Sequence, residues 1–206
     1  SLNNLAALQI EIGNEASAFT LWQTYLRYSN DFLQDVIWGA SEATRQSYLE
    51  GEVGFRNAYI SLMVALNTEK SAKEALFYSL TRKGLLLHIA AQSSTIIKAS
   101  VDPEVARLAI ELNQSKKNLS FLTDMTLDEN TAKLYKQLVQ QIENLEKDLG
   151  GRIAGLGRAQ RQVLPNDVVD ALTLQQALLD FHIYTQDSRD KLVAIWVDPS
   201  SKVQVK

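Results

Sequence analysis

Few side chains of this 206-residue chain are suited to acid–base, nucleophilic or metal chemistry. Cysteine is absent, which excludes disulfides, thiolate metal sites and a thiol nucleophile. The two histidines, His88 and His182, stand far apart in the sequence, and neither has a second histidine near it. A zinc-type site needs three or four such ligands at close spacing, so the sequence predicts no metal centre.

His182 is the one candidate for a general base, because strand alternation places it on the same face as Asp180 and Tyr184. A carboxylate beside a histidine can orient the ring and stabilise its charged form. No nucleophile paired with this histidine is identifiable, so we favour a surface or sheet-edge histidine. His88 lies between Leu87 and Ile89. We expect it to be a core histidine with a hydrogen-bonded ring.

A glycine- and arginine-rich segment at 150–158 has some likeness to a phosphate-binding loop. It lacks the Gly-Lys-Ser/Thr ending, and no predicted strand precedes it. The favoured interpretation is a solvated, flexible joint, with contacts from its arginines to an acidic partner as the alternative. The sequence therefore predicts no catalytic, cofactor-binding or metal-ligating residue and no cofactor. We expect the chain to have no enzymatic activity of its own.

Charge and hydropathy argue against two classes of partner, nucleic acids and membranes. Lys and Arg sum to 21 and Asp and Glu to 24, which leaves a net charge of −3. A mildly acidic chain without a long basic run argues against nucleic-acid binding. No apolar stretch is long enough for a membrane span, and no basic-then-apolar leader opens the chain. We therefore expect a cytoplasmic protein with no membrane contact.

The elements that must position these residues are mainly helices. Only three prolines occur, at 103, 165 and 199, and the chain before 150 is rich in Leu, Ala, Gln, Glu and Lys. This composition is typical of helices. We predict a helical domain over 1–149, a Gly/Arg-rich joint over 150–165, and the start of an α/β domain over 166–206.

Two predicted helices in the first half carry distinctive patterns. The first begins near Glu15 and places four aromatic residues on neighbouring positions, for which we favour core packing over a groove for a partner peptide. The second begins near Ala72 and runs through the apolar segment 85–91, so it is predicted to be the most buried helix. Gly84 lies inside it, where we expect a close approach of another helix. The four aromatic residues are Phe19, Trp22, Tyr25 and Tyr28.

A helical hairpin is predicted over 102–149. Asp102-Pro103 is a strong helix start, because Asp caps the helix and Pro fits its first turn. Apolar residues then recur in alternating steps of three and four, first to Leu122 and again up to Leu149. A string with the form of a capping box, Thr126–Glu129, separates the two stripes. We expect Gly150-Gly151 to end the second helix.

The apolar period changes from helical to alternating near the C-terminus, after a short helix through 167–174. Residues 177–184 alternate, whereas 191–197 are apolar on both faces, as in a strand covered on both sides. Six residues separate the two runs, so they must pair antiparallel. Val203 and Val205 begin another strand. The predicted fold is mainly α, a bundle of antiparallel helical hairpins, with a small and incomplete C-terminal antiparallel sheet.

Four strings, in this order, resemble the region that links tetratricopeptide (TPR) repeats to a CHAT domain, the caspase-like peptidase domain of many bacterial multidomain proteins. The resemblance covers about residues 41–206. The helices of residues 1–70 are either degenerate repeats or plain helices, because they carry no clean 34-residue consensus. The strings are Ser79–Leu87, which contains Arg-Lys-Gly-Leu-Leu-Leu, then Asp102–Leu108, Tyr135–Leu149, and Gln175–Tyr184 followed by Asp190–Val197.

The resemblance implies that the C-terminal strands are the first strands of a CHAT-like domain. The catalytic His and Cys of that family lie downstream of these strands, and no position of this chain matches either motif. The chain would then be a non-catalytic module between a partner-sensing repeat region and a caspase-like peptidase domain. A stand-alone helical scaffold for protein–protein interaction is the alternative. We expect a protein partner on the helical region and a homodimer through exposed C-terminal strands.

Overall fold

The structure is a computed structural model that describes residues 1–123, 128–158, 163–173, 175–198 and 202–205. Within these ranges the chain forms nine helices and then three strands, so the predicted fold class is confirmed. The helices are α1 (Leu2–Glu11), α2 (Glu15–Val36), α3 (Glu42–Gly51), α4 (Val53–Leu66), α5 (Glu69–Arg82), α6 (Leu85–Ala99), α7 (Pro103–Thr123), α8 (Glu129–Arg158) and α9 (Pro165–Ala171). The strands are β1 (Leu178–Gln186), β2 (Arg189–Val197) and β3 (Val203–Val205).

The chain divides into two compact units, and each is discontinuous in sequence. The first unit comprises Ser1–Phe32, Leu49–Lys83 and Gln162–Lys206, so it gathers N-terminal helices and the C-terminal sheet. The second unit comprises Leu33–Tyr48 and Gly84–Arg161, which contain the long helices α7 and α8.

Aromatic side chains fill the core of the first unit. The ring of Trp22 on α2 meets Phe55 and Tyr59 on α4 edge-on, each at 6.2 Å between centroids. Phe19 and Trp22 are buried, so core packing is confirmed for them, whereas Tyr28 is exposed. Such edge-to-face pairs add to the stabilisation that comes from burying large rings.

Helix α5, and not the apolar segment 85–91, is the helix with the most extensive burial. Ten of its residues are buried, because it packs against α4 as well as against β2 and β3. In α6, by contrast, Ile89 is the buried residue, and Leu87 is 76% exposed. The helix predicted from Ala72 through 85–91 is therefore two helices. Its first part lies in α5 and is the most buried, as predicted. The prediction is wrong for 85–91, because burial depends on how many elements surround a helix and not on its hydropathy alone.

Gly84 separates two helices that the sequence pattern joined into one. Its φ of +69° lies in the left-handed region, which glycine adopts at little cost. A Cβ at this position would meet nothing within 4 Å, so no helix approaches it closely. The expected packing role is wrong, and the residue instead supplies the turn between α5 and α6.

The sheet has the order β1-β2-β3, and both pairs are antiparallel. The whole of β1 pairs with the whole of β2, so the predicted antiparallel pairing of 177–184 with 191–197 is confirmed. The connection is shorter than predicted, since it consists of Asp187 and Ser188 alone. Their φ angles of +52° and +58° fit a type I′ turn, which matches the twist of the two strands. β3 continues the sheet by pairing with the end of β2.

Helices α7 and α8 form the hairpin that dominates the second unit. Val105 and Leu108 of α7 share one apolar cluster with Leu149 and Ile153 of α8, as antiparallel packing requires. The predicted helix start is also confirmed, because the Asp102 carboxylate accepts a hydrogen bond from the Glu104 amide at 2.9 Å. The predicted hairpin of 102–149 is thus confirmed in its core.

The second helix of this hairpin does not end at Gly150-Gly151. It continues to Arg158, so the predicted joint is helical over its first nine residues, 150–158. A Cβ on Gly150 would collide with the backbone carbonyl of Trp38, and Gly39 Cα would lie 3.3 Å from it. Gly150 therefore permits the close approach of a neighbouring backbone segment, which is the role that the sequence suggested for Gly84.

Some predicted features fall wholly or partly outside the described residues. They include Thr126 and Leu127 of the proposed capping box, residues 159–162 of the joint, and Leu174 at the end of the proposed short helix. Asp128 is described, and its carboxylate accepts a hydrogen bond from the Thr131 amide at 2.7 Å. It caps the start of α8, which begins one residue later.

Candidate functional site

Asp180 is the centre of a polar cluster between β1 and the last turn of α5. Its carboxylate accepts hydrogen bonds from the Ser79 hydroxyl and the Lys83 ammonium, and His182 Nε2 lies 3.0 Å from the same carboxylate. Lys83 Nζ also donates to the carbonyl of Phe181 at 3.1 Å. We call Ser79, Lys83, Asp180 and His182 the Asp180 cluster. These contacts fasten β1 to the end of α5.

Strand alternation explains why two polar side chains of β1 face the helices. Asp180 and His182 lie on the same face as the buried Tyr184. The strand packs against α4, and Asp180 and His182 meet Ser79 and Tyr78 of α5. His182 lies on an edge strand, as predicted, but it is not a surface histidine. Its side chain is 10% exposed, and its ring centroid lies 6.3 Å from that of Tyr78.

The cluster contains the residue types of a hydrolytic triad in the wrong order. In a triad the histidine stands between the serine and the carboxylate, so that it can take the hydroxyl proton. Here the carboxylate of Asp180 stands between Ser79 and His182, and it accepts the hydrogen bond of the hydroxyl. Ser79 is also buried. The arrangement can hold two elements together, but it does not present an activated nucleophile.

The pKa values of His182 and Asp180 are both lowered, but for different reasons. Burial lowers the pKa of His182, and this effect outweighs the opposing influence of Asp180. For Asp180, burial alone would raise the pKa of the carboxyl. The hydrogen bonds from Lys83 and Ser79 outweigh burial and hold that pKa below its ordinary value. Near neutral pH the pair is therefore an aspartate beside an uncharged imidazole.

A buried ion pair lies one residue before Lys83. Arg82 Nε lies 2.7 Å from a Glu52 carboxylate oxygen, and both side chains are less than a tenth exposed. The Ser29 hydroxyl accepts from Arg82 at 2.8 Å and donates to Glu52 at 2.9 Å. This network joins α2, the start of α4 and the end of α5. Because each buried charge depends on the others, removal of one member leaves an uncompensated charge.

A groove of about 550 Å³ runs along β1 beside these clusters, and we call it the β1 groove. One wall consists of the strand from Phe181 to Thr185, and the other consists of the segment from Leu49 to Arg56. Tyr78 lines the floor, and burial raises its pKa to about 12, so it is an uncharged hydroxyl. The groove is thus lined by four apolar side chains, those of Leu49, Val53, Phe181 and Ile183, and otherwise by polar and charged groups.

Arg56 is the cation of this groove that has no counter-ion among the described residues. Arg82 and Lys83 also line the groove, but each is paired with a carboxylate. The Nε atom of Arg56 is buried and has no hydrogen-bond partner in the described part of the chain. A buried donor without a partner costs free energy, so a bound acceptor would stabilise this site.

The outward edge of β1 has no strand beside it in the described sheet. In a two-residue type I′ hairpin the closing pair, here Gln186 and Arg189, is hydrogen-bonded, and bonded pairs alternate along the ladder. The backbone groups of Phe181, Ile183 and Thr185 therefore point away from β2. The bond from Lys83 to the Phe181 carbonyl agrees with this direction.

The face of the sheet opposite the helices is apolar and exposed. Four large apolar side chains form it, and we call them the outer face: Leu179, Phe181, Ile183 and Leu192. Each is at least 47% exposed. The predicted exposure of an apolar sheet face and a strand edge is thus confirmed. Contiguous exposed apolar side chains of this size are typical of protein interaction sites.

The other residues singled out from the sequence have structural surroundings that differ from expectation. His88 is exposed on α6, so the predicted core histidine is wrong. Its ring nitrogen lies 2.6 Å from Gln92 Nε2, one turn further along the helix. Arg152, from the Gly/Arg-rich segment, lies 3.3 Å from Asp102 in an exposed ion pair. Among the described residues, no group of three or more acidic, His or Cys side chains is arranged to hold a metal ion.

Comparison of the chain with protein-family models, with curated proteins and with solved structures found no significant match. Within the part of the chain that the structure describes, no helix has the length and apolar character that a bilayer crossing requires. The site thus consists of the helix-packed polar residues of β1, an exposed apolar face, and an open strand edge beside Arg56, whose Nε has no partner among the described residues.

Proposed function

We propose that this chain is a non-catalytic interaction and regulatory module of a TPR–CHAT type protein. It links a partner-sensing repeat region to a caspase-like peptidase domain that this chain does not contain. The observation that carries the proposal is the outer face, which leaves four large apolar side chains exposed on a sheet whose other face is packed by helices. The order of the sequence strings that resemble the TPR–CHAT junction supports it.

A peptidase-like domain is the partner that suits such a sheet. A small sheet with one covered face gains stability when further strands extend it and further elements cover its second face. Strands that follow β3 in a CHAT-like domain would supply both. Leu179 and Leu192 would then pass from water into a core, and each would contribute about 2 kcal/mol to the association.

Helix α5 provides the mechanical connection that regulation requires. Its buried side chains pack against α4 and against the sheet, and its last turn holds Asp180 through Ser79 and Lys83. A partner that displaces α5 would therefore move β1. Because β1 would be a strand of the peptidase-like domain, such a displacement would alter the geometry of a catalytic site carried on the same sheet.

The test begins with the gene on both sides of the segment that encodes this chain. We expect the reading frame to continue into a His motif and a Cys motif of caspase type within a few hundred codons. The protein encoded by that frame should hydrolyse peptides. In it, Leu192→Asp should reduce peptidase activity at least tenfold, because the outer face can no longer be buried.

Ile110→Asp is the matched control, because Ile110 is 70% exposed on α7, outside the sheet. It should leave the activity unchanged. A reading frame without both motifs, or equal activities of the Leu192→Asp and Ile110→Asp proteins, would contradict the proposal. In that case the stand-alone interaction scaffold is the remaining interpretation, and a separate protein covers the outer face.

A further inference from the structure

We infer that the β1 groove binds a short extended peptide segment that pairs with the open edge of β1 and places a carboxylate against Arg56. This site rests on the interaction role proposed above, and it specifies the chemistry of the segment bound. The occupant is an acidic peptide strand, not a free anion, because the groove offers backbone pairing as well as charge.

Backbone pairing is available along one wall of the groove. Phe181, Ile183 and Thr185 line it, and their backbone groups point away from β2. Among the described residues, the Phe181 carbonyl has the Lys83 ammonium as its partner, and no backbone hydrogen bond to this edge is present. An unpaired strand edge is a template for another extended segment, which adds by main-chain hydrogen bonds.

The side chains around this edge suit alternate residues of an added strand. Leu49 and Val53 form apolar patches on the wall opposite Ile183. In a strand, successive side chains point to opposite sides, so one set faces this wall while the other faces solvent. Apolar side chains of the segment that face this wall would lie against Leu49 and Val53, and β-branched residues would suit both this wall and the extended conformation.

Charge selects an acidic residue within the segment. The other basic groups of the groove already have carboxylates, since Arg82 pairs with Glu52 and Lys83 with Asp180. Arg56 has none, and its buried Nε is without an acceptor. A guanidinium binds a carboxylate through two parallel hydrogen bonds, so a Glu or Asp side chain satisfies it better than an amide does.

Two carboxylates line the groove and oppose an anion: Glu52 is paired with Arg82, and Asp190 lies further along the strand. It is aligned with Thr185 in the sheet register, and the Thr185 hydroxyl donates to it at 2.9 Å. Arg56 instead lies near His182 and Tyr78, since its charge acts on both. The acidic residue of the segment is therefore expected opposite His182 and not at the hairpin end of the groove.

The experiment uses the whole chain and a defined probe. The probe is a nonapeptide with blocked ends that alternates threonine and valine and carries one central glutamate, and its partner probe has glutamine there. Affinities are measured by titration of ¹⁵N-labelled protein. We expect the glutamate peptide to bind about tenfold more tightly, because a hydrogen bond to a charged group is worth more than a neutral one. The Arg56 Nε–H signal should shift with the glutamate peptide.

Two pairs of variants separate the charge from the backbone pairing. Arg56→Gln should remove the tenfold preference, whereas Arg189→Gln, which makes the same change on the exposed start of β2, should preserve it. Ile183→Pro deletes an edge N–H without breaking the ladder to β2, so it should lower the affinity for both peptides about tenfold. Ile183→Thr keeps that N–H and should retain most of the affinity. In the unmodified protein, the Ile183 and Thr185 amides should become protected from exchange when the peptide binds.

Several results would overturn the inference. Equal affinities for the two peptides, or a preference for glutamate that persists in Arg56→Gln, would contradict the proposed contact between Arg56 and a carboxylate. If the Ile183 and Thr185 amides stay unprotected from exchange in the complex, the proposed strand pairing is contradicted. This measurement uses the unmodified protein, so it holds even if Ile183→Pro fails to fold. If acetate or phosphate alone shifts the Arg56 Nε–H signal and neither peptide binds, the groove is a free-anion site instead. None of these results affects the outer-face test with Leu192→Asp, so this inference and the proposed function fail separately.

Discussion

The two faces of strand β1 differ in how polarity relates to burial. On the helix-packed face of β1, Asp180 and His182 are mostly buried, whereas Phe181 and Ile183 on the outer face are exposed. A sheet with one covered face normally buries its apolar residues and exposes its polar ones. Here the polar residues of β1 hold the strand to α5, and the apolar residues of its other face are exposed.

Under the proposed function, this difference gives β1 two separate roles. Its helix-packed face gives the strand a fixed position through charged hydrogen bonds, which are directional and tolerate no change of partner. Its outer face offers apolar area, which is non-directional and suits a partner that binds later. Variants that act on one face alone can therefore test whether the two roles are independent.

The largest expected effect comes from a charge placed on the packed face of β2. Ile195 is fully buried there, so Ile195→Asp should lower the free energy of unfolding by about 4 kcal/mol, because the carboxylate has no partner. Leu192 lies on the outer face of the same strand, and Leu192→Asp should change that free energy by less than about 0.5 kcal/mol. Urea titration of both variants measures the difference. Similar losses for both would mean that the outer face is already covered.

The second effect concerns the buried ion pair that keeps the end of α5 in place. Arg82→Leu should lower the free energy of unfolding by about 3 kcal/mol, because Glu52 is left as an uncompensated buried charge. Glu52→Leu combined with Arg82→Leu should recover a large part of the loss. Chemical denaturation of the single and double variants checks this. An unchanged stability in the single variant would show that water reaches Glu52.

A smaller effect is expected from the connection between β1 and α5. Asp180→Asn removes the charge that accepts from Ser79 and Lys83, and it should cost about 1 kcal/mol, since Lys83 is half exposed. Asp187→Asn makes the same change at the exposed hairpin turn and should have little effect. Amide exchange of β1 should increase in the first variant alone. Equal exchange in both would place the anchoring of β1 elsewhere.

The smallest effect is a pH dependence that arises from His182. Burial lowers its pKa in the folded chain, so the unfolded chain takes up the proton first as the pH falls. The stability from the uncharged ring is complete above the ordinary pKa of about 6.5 and is lost as the pH falls through the lowered folded value. Thermal melts between pH 7.5 and 5 should show this decline. His182→Gln should flatten it, and an unchanged slope would argue that the ring is hydrated.

Helix and strand positions were largely predictable from the sequence, because they depend on local periods. The alternating steps of three and four in 102–149 predicted the α7–α8 hairpin, and the change to a period of two predicted β1 and β2. The roles of two glycines were not predictable. A glycine permits either a left-handed turn or a close backbone contact, and the sequence alone does not distinguish between these uses.

The candidate site was predictable only in part, because its members come from distant segments. Alternation along β1 placed Asp180 and His182 on one face, but nothing local indicated that Ser79 and Lys83 would meet them. Arg56 had no sequence signal either. Its importance follows from the lack of a partner within the groove, which is a property of the packed chain.

Taken alone, the sequence determined the mainly helical fold, the helix start at Asp102-Pro103 and the antiparallel pairing of the last strands, because these depend on residues within a few positions of one another. Only the tertiary structure decided which face of the sheet the helices cover. It also decided that Gly84 forms a turn, whereas Gly150 meets the backbone of Trp38. These outcomes depend on contacts between segments far apart in the chain, where shape and available partners determine burial.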